Sequence, residues 1–285
     1  MSILLAAFLA AGIDPEVEAV MGRRKTPAER RIKQDEAAAA PAIDPALEDC
    51  VDLAWRDSAA AITRARSWIA RSNGPSPQQC LGFAQAQGEH WSDALAAFRE
   101  GARLAGPDGG VAARLWAQAG NAALLGGDMA GAVSALDNAL AGSALPDGLA
   151  RGEAYLDRAR AHVALKDETA ARADLDNALR FAPQDPLAWL LSATLARRMG
   201  NLTLAKQHIG EAITRAPDDA SVALEQGVIA ALAVDDLAAR AAFHRARKLG
   251  AGTPVESAAT AYLAQLGDTV APAAPTPADK PPQSR

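Results

Sequence analysis

The sequence has little of what usually marks a chemical site. Of its 285 residues only 4% are aromatic, and there are two cysteines and four histidines. Cys50 and Cys80 form no CxxC, and His90, His162, His208 and His244 make no pair at metal-ligand spacing. Glu89-His90 lacks the HExxH frame, and no GxSxG or phosphate-cradling glycine loop is present. GPDGG and GGD read as turns by their Gly, Asp and Pro content. No catalytic residue, metal or cofactor is therefore expected, and the chain reads as a non-enzyme. No apolar run approaches the roughly 20 residues that span a bilayer. Strong charge of one sign is missing too. A formal net charge of −5 gives no general attraction for nucleic acid or anionic membrane, and neither is expected as a partner.

What is there is alanine and leucine. Hydrophobic residues make up 49% of the chain, and these two, both strong helix formers, supply most of them. Such a composition predicts many thin helices packed closely, in an all-α fold.

The ends differ from the middle. Residues 1–12 hold an apolar stretch, ILLAAFLAAG from Ile3, closed by Ala10-Ala11-Gly12. It has the length of a signal-peptide core but no basic segment before it. It predicts a periplasmic or exported protein; the alternative is a cytoplasmic one whose first helix caps the fold. Residues 13–45, with Arg23-Arg24-Lys25 and AAAAPAIDPA, read as a charged and Ala-rich linker. Residues 269–285, rich in Pro and Ala, read as a disordered tail.

Between these ends lies a repeat. Ala171, Ala205 and Ala239 are 34 residues apart. Leu175, Ile209 and Phe243 follow four positions later, and Ala178, Ala212 and Ala246 seven later. Pro183 and Pro217 close two units, while Ala159, Ala193 and Gly227 keep the same register upstream. Two earlier units obey the same rule, one with Gly120, Ala132, Leu136 and Ala139, the other with Gly82, Ala94, Phe98 and Gly101. Their extra length falls in AGSALPDGLAR and GPDGG, where insertion is tolerated. An independent constraint agrees. Asp128, Asp167, Asn201 and Asp235 occupy one equivalent position, suited to cap the second helix of a unit. The first unit has His90 there, with Ser92 and Asp93 able to cap nearby.

Small residues spaced for helix contact, a large residue to fill the hole beside them and a closing proline resemble the tetratricopeptide repeat, in its bacterial form. The resemblance covers residues 46–268: a degenerate unit at about 46–74, repeats at about 75–112, 113–151, 152–185, 186–219 and 220–253, and a closing helix at 254–268. It implies a right-handed superhelical solenoid of antiparallel helix pairs, whose first helices line a concave face that takes a peptide or partner protein. By register the candidate peptide-binding residues are Gln79, Phe83, Gln87, Asn121, Leu124, Arg160, Thr194, Arg197, Arg198 and Leu224. The family members that clamp a terminal carboxylate need cations at set inner positions. Here those places hold Gln79, Gln118, Glu153 and Asp157, which disfavours that subtype.

The function implied is a non-catalytic protein–protein interaction scaffold. One alternative is an accessory subunit of an envelope-assembly or secretion complex; a remote one is an enzyme that uses the repeats as a substrate platform. Cys50 and Cys80 fall in first helices of neighbouring units. They are a possible disulfide if the chain is exported and small buried hydrophobes if it is not.

Overall fold

The computed structural model describes residues 44–106 and 109–267. The signal-like segment, nearly all of the linker and the tail lie outside the described residues. Those described form thirteen helices and no strand. They divide into two bodies, one ending at Pro217 and one beginning at Asp218.

The larger body holds α1 (Pro45–Arg56), α2 (Ser58–Arg71), α3 (Pro75–Gln87), α4 (Trp91–Leu104), α5 (Gly109–Leu125), α6 (Met129–Leu140), α7 (Leu149–Ala164), α8 (Glu168–Phe181), α9 (Pro186–Arg198) and α10 (Leu202–Arg215). The smaller holds α11 (Ala220–Leu232), α12 (Asp236–Leu249) and α13 (Pro254–Gln265). Within each body consecutive helices pack on one another as antiparallel pairs.

The pairs close on small residues. Gly82 lies under the Phe98 ring, and a Cβ placed there would stand 2.6 Å from it. Gly120 meets Leu136 in the same way, at 2.5 Å, and Gly227 meets Phe243, at 2.4 Å. Ala159 and Ala193 hold the equivalent position in the other two units and are fully buried. The core is thus built from alanines in contact with one large residue per unit, packed without room for an added methyl group.

Each unit turns between its helices by the same device. Glu89, Gly127, Lys166, Gly200 and Val234 all take a positive φ, between 59° and 78°. The following N–H reaches back to close the preceding helix, as Asp128 to Ala123 and Asp167 to His162. Asp128, Asp167, Asn201 and Asp235 then cap the second helix through the N–H of Gly131, Ala170, Leu204 and Ala238, at 2.8–3.1 Å. His90 occupies the fifth cap position, but its side chain makes no cap bond. First helices have caps of their own, Asp44, Asp185 and Asp219.

At one of these turns the residue type conflicts with the backbone. Val234 is β-branched, 80% exposed and held at φ 61°, where its Cβ crowds the following carbonyl. Val234→Gly is expected to stabilise the smaller body by about 1 kcal/mol, read as a higher denaturation midpoint. An unchanged or lower midpoint would show that the turn carries no strain.

Candidate interaction face and its supporting contacts

The first helices α3, α5, α7 and α9 carry the positions that the register assigns to an inner face. Gln79 and Phe83 are half-buried, and Gln87 and Asn121 are exposed. Arg160 and Arg197 are half-buried and Arg198 is exposed. Three of the ten candidates are interior. Leu124 belongs to the apolar cluster of α4–α7, and Leu224, on α11, to that of the smaller body. Thr194 is 5% exposed, with its hydroxyl donating to the Leu190 carbonyl one turn back. These three pack rather than present surface.

Three of the remaining candidates, Gln79, Asn121 and Arg160, belong to side-chain ties between neighbouring units. The Gln79 amide donates to Gln118 Oε1 at 3.1 Å, joining α3 to α5. The Asn121 amide donates to Asp157 Oδ2 at 2.7 Å, joining α5 to α7, and Arg160 holds the other oxygen of Asp157 at 3.1 Å. Gln118 and Asp157 are therefore part of the same row, although they enter the sequence reading only as places where a carboxylate clamp fails. Farther along, Arg198 lies 4.0 Å from Glu168. Among the described residues no group of His, Cys, Asp or Glu could hold a metal ion, and no helix is long and apolar enough to cross a membrane.

Behind this face is a buried ionic cluster. Arg158 grips Asp174 with two bonds, at 2.9 and 2.6 Å, and reaches Asp137 at 2.6 Å. The Asp174 side chain is only 5% exposed. Its hydrogen bond to the guanidinium is the main reason that Arg158 is held above its ordinary pKa, against the opposing effect of burial. His162 stands 3.8 Å from the same carboxylate. Arg151, also buried, ties down the inserted loop by donating to the carbonyls of Leu145 and Gly142, with its charge against the Phe181 ring.

His208 sits between α9 and α10, edge-on to Trp189, with Nδ1 2.7 Å from the Ser192 hydroxyl. Burial, and then the Arg172 charge, push its pKa below the usual histidine value; Asp176 and Glu211 pull weakly the other way. The unfolded chain therefore binds this proton first. The contribution of His208 is complete above about pH 6.5 and declines as pH falls from there towards its folded value. His208→Gln should flatten the loss of unfolding free energy between pH 7.5 and 5.5. If wild type and variant lose the same amount, His208 is not its source.

Cys50 of α1 and Cys80 of α3 are disulfide-bonded, with Cα atoms 5.8 Å apart and neither residue exposed.

Paired antiparallel helices, small residues at each crossing and a capped turn in fixed register define the class: this is a tetratricopeptide-repeat fold. Residues 152–185 match the family model described as tetratricopeptide repeat. Among solved structures the chain is similar to YrrB, described as a TPR protein with an unusual peptide-binding site. The identity is 18% and the TM-score 0.53, over 71% of this chain and 97% of that one. It is similar also to pilF of Pseudomonas aeruginosa, with 14% identity, a TM-score of 0.61 and coverage of 77% and 99%. For MamA from Desulfovibrio magneticus RS-1 the identity is 19%, the TM-score 0.53 and the coverage 61% and 94%. At such identities the likeness is one of fold. No curated protein sequence gives a significant match.

Proposed function

We propose that the chain is a non-catalytic scaffold that holds an extended peptide segment of a partner protein across α3, α5, α7 and α9. The observation that supports this best is the row Gln79–Gln118 and Asn121–Asp157–Arg160. Amide and charged groups joined from one first helix to the next are held in place before a ligand arrives, which lowers the entropy lost on binding. Phe83 adds an apolar contact at one end, and Arg197 and Arg198 a cationic one at the other, suited to a carboxylate on the segment. Export is part of this reading, and the buried Cys50–Cys80 bond supports it, because such bonds persist in oxidising compartments. Mass spectrometry of the mature N-terminus tests that part.

The binding reading is tested by selecting peptides from a random display library on the full chain. Fluorescence anisotropy then measures Kd for the wild type and for Asn121→Ala and Arg197→Glu. Each substitution is expected to weaken binding about ten-fold or more, the loss of one to two good polar contacts, with little change in thermal midpoint. Peptides that bind all three proteins equally would place the ligand elsewhere and overturn the proposal.

A further inference from the structure

Large apolar side chains exposed to water are few here, and they are not scattered. Among the described residues of the larger body they are Trp55 (70% exposed), Leu125 (56%), Leu165 (49%) and Met199 (46%). All four stand at the end of a first helix, beside the turn into its second. Because first helices run parallel, these turns gather on one edge. Three contacts join neighbouring turns: the space above Gly88 opens onto Ser58, Gly126 faces Trp91, and Glu168 lies 4.0 Å from Arg198. The edge borders the inner face, with Arg198 at the margin of both. The turns also expose five carboxylates, Asp57, Glu89, Asp93, Asp128 and Asp167, against three cations, Arg56, Lys166 and Arg198.

An apolar strip among carboxylates fits a segment that is apolar and basic, and this chain contains one. Residues 20–33, VMGRRKTPAERRIK, carry six cations and one carboxylate, together with Val20, Met21 and Ile32. Their net charge of +5 contrasts with −5 for the whole chain. The tether suffices. Lys33 is eleven residues before Asp44, a span of up to about 36 Å, whereas α1 carries the chain only about 18 Å to Trp55.

We infer that residues 20–33 dock on the turn edge of their own chain, their apolar residues on Trp55, Leu125, Leu165 and Met199 and their cations on the flanking carboxylates. The segment covers a surface that would otherwise be an association hazard, and a partner able to displace it would gain that edge.

Two measurements on the full-length protein test this. In limited trypsin digestion, cleavage after Arg23, Arg24, Lys25, Arg30 and Arg31 is expected to be slow. It should accelerate at least ten-fold in Leu165→Glu/Met199→Glu, whose altered residues are exposed, with the thermal midpoint unchanged. Carbodiimide cross-linking should join Lys25 or Lys33 to Glu89, Asp93 or Asp128 within one molecule. Equal cleavage of the two proteins would overturn the inference. So would cross-links found only between copies in a mixture of light and heavy-isotope protein, which would make the edge an interface between copies.

Discussion

Arg158→Ala is expected to destabilise the larger body by about 3–5 kcal/mol, the cost of leaving a buried charge without its partner. Asp174 loses both charge-assisted bonds at once and, with a side chain only 5% exposed, has no water to replace them. Asp137 contributes much less, because its carboxylate is 56% exposed and stays solvated when the guanidinium leaves. Asp137→Asn should therefore cost at most about 1 kcal/mol. The discriminating variant is Arg158→Met/Asp174→Leu. Removing both charges removes the desolvation penalty with the attraction, so the double variant should recover most of the stability that Arg158→Ala loses. Urea titration of the three proteins measures this, and hydrogen exchange locates it: protection should fall first in α6, α7 and α8, since repeat arrays couple mainly to their neighbours. If the double variant is as unstable as the single one, packing at this position and not charge is the cause.

Removing the disulfide should have a comparable effect, at the other end of the larger body. Cys50 and Cys80 are 30 residues apart in sequence, and a cross-link closing a loop of that length stabilises by about 3–4 kcal/mol in the chain-entropy account. The apolar burial of the first helix pair is thin. In α1 only Leu47, Cys50 and Ala54 are buried, and in α2 only Ala61 and Ala65. Cys50→Ala/Cys80→Ala, or reduction of the wild type in urea, is expected to release this pair before the rest unfolds. Hydrogen exchange would then report the loss of protection confined to residues 45–71. The zero exposure of both cysteines implies that reductant acts only after local opening. A variant with unchanged protection in α1 and α2 would show that the pair is held by its packing alone.

How much of this could be read from the chain follows from the range of each interaction. The knob of Phe98, Leu136 or Phe243 on its facing glycine recurs within one helix pair. So does the cap that Asp128, Asp167, Asn201 and Asp235 provide. Both are contacts across sixteen residues or fewer, which a 34-residue period repeats, so register and helix pairing are legible in the letters. His90 shows the limit: the position is right, but the imidazole makes no cap bond.

Contacts between units follow another rule. Asn121 finds Asp157, and Arg158 adds Asp137 to the Asp174 of its own unit, only through the rotation by which one pair stacks on the next. No local spacing encodes that rotation. The same holds for exposure: Thr194 shares the register of Asn121, and Leu124 that of Arg197, yet packing takes Thr194 and Leu124 inside. The sequence by itself determined an all-α repeat of helix pairs, because helix period and capping act over a few residues. Only the tertiary structure decided which first-helix side chains face water, that Arg158 is the cation of a buried cluster, and that the exposed apolar residues gather on one edge. Those outcomes depend on distances between units, which stacking sets.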